Sequence, residues 1–161
     1  METGVRSTVK LIIINDGKVL LNRCYDRMNG DYYSLPGGGQ EKYETLEQAI
    51  RRECLEETGY SVEPERFAAL FEEINENPAF RVEYPQYAHK MLHIFVCTLA
   101  SEGRAKPSEM DDSQVTCEWV EISDVANLNL LPKIVKERFY ELLDSDGAVF
   151  LGSDHLTINH G

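Results

Sequence analysis

The sequence predicts a mixed α/β fold, and three observations carry that expectation. Apolar, β-branched segments lie on both sides of one long stretch of helical periodicity; a second amphipathic stretch comes late; turn-forming Gly, Pro, Asn and Asp residues punctuate the intervals. A length of 161 residues suits one domain with its own core. Residues 1–161 are therefore read as a single domain, with a weakly patterned tail over 144–161.

Taken in order, residues 7–14 (STVKLIII) are β-branched and apolar. Asn15, Asp16 and Gly17 then supply turn chemistry before residues 18–23 (KVLLNR), so the chain opens with a hairpin. Residues 24–31 read as a loop and 32–36 (YYSLP) as a short strand closed by Pro36. Gly37, Gly38 and Gly39 follow as a loop in which backbone can approach a neighbour closely. Helical periodicity runs from near Thr45, an N-cap candidate, to Gly59, a stop signal. Residues 66–75 and 89–100 read as strands from their β-branched and aromatic content, with a polar, aromatic loop over 76–90 between them. A further loop over 102–113, a strand over 114–122 and an amphipathic helix over 132–143, opened by Pro132, complete the pattern.

Composition narrows the function classes. The chain has 28 acidic and 16 basic residues, a formal net charge of -12, so its overall field repels nucleic acid and anionic membrane surfaces. A phosphate-bearing ligand then requires local cations. Cys24, Cys54, Cys97 and Cys117 form no CxxC pair and are read as core thiols, not as a zinc knuckle, a redox motif or a disulfide. The short apolar run near the N-terminus lacks a cleavage pattern, and no run reaches membrane-spanning length. A cytoplasmic protein without membrane or nucleic-acid partners is the expectation.

The informative stretch is AIRRECLEETGY, residues 49–60. On a helical wheel Leu46, Ala49 and Ile50 share one face, the stripe expected to pack on a core. One further turn carries that stripe to Glu53 and then Glu57, with Glu56 beside them. An unpaired carboxylate there costs several kcal/mol or takes up a proton, so something positive belongs between these acids. Arg52 is one candidate, rotated away from the stripe and better placed to hold a neighbouring carboxylate. A divalent cation is the other, because clustered carboxylate oxygens suit magnesium or manganese. The bland alternative, a solvated acidic face, loses weight once the stripe and the preceding glycines are considered together.

Counted back to Gly38, the window is GGGQEKYETLEQAIRRECLEETGY. Gly38 is followed after five residues by Glu44, then after seven by Arg52-Glu53, a nonpolar residue, any residue, Glu56-Glu57, any residue, Gly59 and a nonpolar residue. This resembles the signature box of the Nudix hydrolases, from Gly38 to Tyr60, with every charged and glycine position matched. Cys54 and Tyr60 fill the nonpolar positions less typically, and Tyr43 stands where many members carry glycine. The flanking strands, including LPGGG before the box and EWV after it, extend the resemblance over most of residues 7–143.

The resemblance implies an α/β/α sandwich with a mixed central sheet. It also implies a metal-dependent hydrolase that splits the pyrophosphate bond of a nucleoside diphosphate linked to another group. It carries metal ligation, by Mg2+ or Mn2+, onto Glu53, Glu56, Glu57 and the carbonyl of Gly38, and it makes Arg52 the residue that orients these carboxylates. Glu44 is structural in that scheme. The general base stays open between Glu56 and Glu53 in the box. Outside it, Glu118 on a neighbouring strand is a further candidate that would also reach the metal, and Glu109, Asp111 and Asp112 in a loop form another source. Arg23 and Arg27 are candidate phosphate contacts, because guanidinium forks suit phosphate oxygens. Tyr84 and Tyr87 are candidate stacking faces for a base or sugar; for each of these four, surface or loop packing is the competing reading. His89 and His93 have the spacing of a helical zinc pair, but their segment reads as strand and both are taken as structural. Relatives often dimerise, which admits a homodimer. The competing function is a Nudix-like nucleotide sensor that binds without cleavage, disfavoured because all the box acids are present. A calcium-binding scaffold lacks the loop pattern it would need.

Overall fold

A computed structural model describes residues 4–110 and 113–158. The first hairpin forms as expected: β1 (Arg6–Asn15) and β2 (Lys18–Asp26) pair at Ile14 with Val19 across a turn in which Asp16 and Gly17 both have positive φ. Most of the span expected as a loop over 24–31 is strand instead. β2 continues to Asp26 and β3 (Gly30–Ser34) returns antiparallel, with only 27–29 left to turn. The Asp26 side chain closes that turn by accepting hydrogen bonds from the amides of Met28 and Asn29.

The glycine run is also a strand, β4 (Gly37–Gly39), laid antiparallel along Thr8, Val9 and Lys10 of β1. The expected close approach is real. A side chain on Gly37, whose φ is +146°, would put its Cβ 2.0 Å from the Val9 carbonyl oxygen.

Helix α1 (Leu46–Thr58) begins and ends where the sequence places it. Thr45 Oγ1 accepts the Gln48 amide at 3.1 Å and Gln48 Oε1 accepts the Thr45 amide at 2.8 Å, a reciprocal cap worth about 1 kcal/mol. Gly59 ends the helix in the left-handed conformation with φ 78°.

β5 (Tyr60–Asn75) and β6 (His89–Arg104) are longer than expected because their antiparallel ladder continues through three irregularities. Helix α2 (Pro78–Glu83), capped by Asn77, and a 3-10 turn at Pro85–Tyr87 occupy the expected loop between them. β7 (Gln114–Glu121) pairs with β2. The late helix is divided at Arg138 into α3 (Lys133–Glu137) and α4 (Phe139–Asp144). The tail holds a strand whose pattern is too mixed to read, β8 (Val149–Leu156), which joins β5 in parallel.

The eight strands make one mixed sheet in the order β3-β2-β1-β6-β5-β8, with β4 on β1 and β7 on β2. Each face carries helix. Ala49, Ile50 and Cys54 of α1 pack on Val9, Leu11, Ile13, Val62 and Cys97. Val135, Phe139 and Leu142 of α3 and α4 pack on Ile12, Leu92 and Ile94 from the other side. This is the α/β/α arrangement expected, and the alternation along β1 decides which side each residue serves. No disulfide forms among the four cysteines, three of which are buried; burial pushes the Cys54 thiol up to about 11 and the Cys97 thiol up to about 12.

Candidate active site

The C-terminal half of α1 faces β4, and this contact organises the site. Glu57 is 3% exposed. Its carboxylate accepts the Gly37 amide at 2.8 Å and the Asn22 side-chain amide at 3.3 Å. Gln114 of β7 donates in turn to the Asn22 oxygen at 3.2 Å, linking the helix to β2 and β7. The stripe drawn on the wheel thus reaches Glu57, in company with buried Cys54 and Thr58, while Glu53 and Glu56 sit at its half-exposed margin.

Glu53 rests directly on Gly38. A Cβ at Gly38 would lie 2.4 to 2.7 Å from its carboxylate atoms, so only glycine leaves this contact open. Arg52 takes the coordinating position the sequence suggested. Its Nη1 donates to Glu53 at 2.8 Å and to Glu56 at 3.2 Å, its Nη2 to the Gly39 carbonyl at 2.9 Å, and both Nε and Nη2 donate to Glu44. Those pairs hold the guanidinium pKa above its ordinary value, with the Glu44 hydrogen bond the largest cause, and Glu44 falls below the usual glutamate value in return. At the end of α1, the Ser108 and Glu109 amides both donate to the Glu56 carbonyl at 2.9 Å, docking the following loop there.

An open cleft of roughly 1310 Å³ runs past these groups. Gly38, Arg52, Glu53, Glu56 and Glu57 line one end, and Tyr84, Tyr87 and Phe80 from the α2 segment form a wall. Glu109 also reaches the cleft, whereas Asp111 and Asp112 lie outside the described residues.

Three expected participants are not brought in. The cleft is lined without Arg23, Arg27 or Glu118. Glu118 stands opposite Leu21 on β7, with its carboxylate 3.6 Å from Arg23 Nη1 and accepting the Tyr33 hydroxyl at 3.2 Å. Strand alternation puts this trio on the face of β2 opposite Asn22, and therefore opposite Glu57. Arg27 is exposed in the turn between β2 and β3. His89 and His93 are on strand β6, in separate contacts with Glu72 and with the Thr8 carbonyl.

Conversely, Arg6, Lys10 and Lys90 line the cleft and were not picked out from the sequence. The available signal was a single lysine inside each apolar strand run, two residues before a core position, Ile12 or Leu92.

The fold and site together define a mixed α/β protein with a glycine strand, a carboxylate-bearing helix end and an open ligand cleft between them. A family model for the NUDIX domain matches residues 4–143, and the chain belongs to that family. Among solved structures, a NUDIX hydrolase from Nitrosomonas europaea is 23% identical, with a TM-score of 0.65 over 86% of this chain and 88% of that one. An ADP-ribose pyrophosphatase from Streptococcus suis is 20% identical, with a TM-score of 0.62 over 94% of this chain and 100% of that one. A UDP-X diphosphatase is 21% identical, with a TM-score of 0.63 over 96% and 69%. At these identities the likeness is one of fold. Among the described residues no helix is long and apolar enough to cross a membrane.

Proposed function

We propose that the chain, as one domain over residues 1–161, is a metal-dependent hydrolase that cleaves the pyrophosphate bond of a nucleoside diphosphate linked to another group. The observation that carries this reading is the convergence of Glu53 and Glu57 on the Gly37–Gly38 backbone, with Glu56 tied to Glu53 through Arg52, at one end of a cleft with an aromatic wall. The named activities of the ADP-ribose pyrophosphatase and the UDP-X diphosphatase support the same class of substrate.

The residues fit Mg2+ or Mn2+ by donor chemistry: three carboxylates, and a glycine whose missing side chain admits one of them to the main chain. Among the described residues no group of three or more such side chains is set to hold a metal ion; Arg52 Nη1 bridges Glu53 and Glu56. Glu53, Glu56, Glu57 and Gly38 would hold the ion, which when bound neutralises diphosphate charge and acidifies an attacking water.

The protein groups do the rest. Arg52, anchored on Glu44, fixes the rotamers of Glu53 and Glu56. Glu57, held by Gly37 and Asn22, keeps one orientation. Glu56 or Glu53 accepts the proton of the water as the bond to phosphorus forms, and Glu109 is the alternative base from outside the helix. Tyr84 and Tyr87 offer faces on which a base or ribose stacks.

The test is turnover of a nucleotide panel with magnesium and with manganese, scored by released product. Glu56→Gln and Glu57→Gln are expected to lose activity while keeping their circular dichroism. Full activity in both would refute the assignment of these residues. Stable nucleotide binding in magnesium without product release would favour a sensor.

A further inference from the structure

The cleft has a second end, built from cations that the proposed chemistry does not use. Arg6 and Lys10 share one face of β1 with Thr8 between them, and Lys90 stands beside Arg6 in the parallel register of β6. They belong to the face away from α1: Lys10 lies among Leu35, Leu92 and Ile94, whereas Val9 and Leu11 pack on Ala49 and Ile50. The box glutamates and these cations are therefore separated by the β4–β1 edge, around which the cleft wraps.

Lys10 is only 8% exposed and Lys90 only 7%, rare values for an ammonium group without full charge pairing. Among the described residues their polar partners are few. Lys90 Nζ is 3.5 Å from Glu73 on β5, a carboxylate that stands behind it and outside the cleft wall. Lys10 Nζ donates to the Leu35 carbonyl at 3.4 Å. The Arg6 guanidinium lies 4.9 Å from the centre of the Tyr87 ring. Among the described residues Glu73 is the one carboxylate in an ion pair with these three cations, while Asp26 and Glu41 also line the cleft. Burial pushes the Lys90 pKa down against the opposing pull of Glu73, and Lys10 and Arg6 add to the lowering, as expected of like charges held close. Buried cations held this close are costly in isolation, and a dianion offsets that cost.

We infer that this wall is a second phosphate-binding site, holding through Arg6, Lys10 and Lys90 a phosphate monoester on the part of the substrate remote from the scissile diphosphate. Arg6 presents a guanidinium fork beside the aromatic face of Tyr87, and the two lysines supply point charges from below. The preferred substrate is then a nucleotide derivative with an additional phosphate, not one whose linked group is neutral. Attachment of the phosphate to a substrate rests on the hydrolase reading above; the site itself does not.

Inorganic phosphate titrated into the metal-free protein in EDTA, and followed by calorimetry, isolates this wall, because without a cation the glutamate end repels anions. Saturable binding is expected, weakened about tenfold or more in Lys10→Met and in Lys90→Met, and unchanged in Glu56→Gln. Arg6→Gln, at the half-exposed start of β1, carries the same expectation if a buried lysine replacement fails to fold. A second arm compares turnover of ADP-ribose with its 2′-phosphate, and of NAD with NADP, in magnesium. A higher kcat/KM for the phosphorylated member, lost in Arg6→Gln, is the result expected. Absence of saturable phosphate binding, or binding indifferent to all three substitutions, overturns the site. Phosphate binding without preference in either substrate pair overturns the attachment to substrate and assigns the wall to free phosphate. Failure of every compound in the wider panel counts against the hydrolase reading alone.

Discussion

Arg52 grips Glu44 with two prongs, Nε to Oε2 at 2.7 Å and Nη2 to Oε1 at 2.9 Å, across the whole length of the turn that leads from β4 into α1. The pair is mostly shielded, with side-chain exposures of 23% and 13%. It ties the loop before the helix to the arginine that holds Glu53 and Glu56. The hydrogen bond from Arg52 sets Glu44 below its ordinary value of 4.5. A carboxylate whose folded pKa is depressed contributes stability above its unfolded value and loses it as pH falls through the folded one. Glu44→Gln should therefore cost about 1–3 kcal/mol at pH 7 and show a shallower loss of stability below about pH 4.5. Urea titrations at several pH values decide this; parallel pH curves for the two proteins would contradict it.

Gly38→Ala should be tolerated by the fold and not by the site. The added Cβ meets the Glu53 carboxylate, the movable end of a side chain, and no strained φ is involved. Displacing Glu53 disturbs the carboxylate group it shares with Arg52. The expected outcome is a thermal midpoint within a few degrees of the parent with turnover reduced at least about tenfold. Unaltered turnover would show that Glu53 need not touch the glycine strand.

Tyr43 occupies the position where many relatives of the box carry glycine, and its φ is +72°. Left-handed backbone costs a residue with a side chain about 1–2 kcal/mol, while glycine gives back part of that through its larger unfolded-state entropy. The side chain itself is 93% exposed. Tyr43→Gly should thus stabilise the protein slightly, by up to about 1 kcal/mol, as a small rise in the urea midpoint. A clear fall would mean that the tyrosine ring supports the loop.

Asn22→Leu removes the amide that donates to Glu57 and accepts from Gln114, inside a buried patch. Leaving those groups short of partners should cost about 1–3 kcal/mol in chemical denaturation. Retained stability would show that Glu57 stays satisfied without the Asn22 amide.

Much of this site could be read from one stretch of sequence because its logic is local. The N-cap, the stop glycine, the buried stripe and the three acids lie within one helix, where 3.6-residue periodicity relates them. Arg52 could be assigned to the carboxylates on the same ground. Glu118 and Arg23 went astray for the opposite reason: their side of the sheet depends on the register of β2 with β7, including an irregularity between Arg23 and Cys24. Asn22 and Gln114 were invisible as supports of Glu57, since each comes from a different strand. Lys10 and Lys90 are brought together by a parallel pairing of residues some eighty positions apart, which no local pattern encodes. The β8 strand was missed because it satisfies the edge of β5 through main-chain bonds, while its apolar residues Val149, Phe150 and Leu151 stand consecutively and do not alternate.

β4 is three residues long and separates two surfaces with different duties. Glu53 closes on Gly38 from the helix side, and the Arg6 guanidinium closes on Gly39, where a Cβ would come within 2.1 Å of it. On β1 the residues that pack on α1, Val9 and Leu11, alternate with those of the opposite face, Arg6 and Lys10, so substitutions at the latter leave the stripe under α1 in place. If both proposals hold, the cationic face would govern which molecules are accepted and the helix end which bond is attacked, with three glycines as the partition between them.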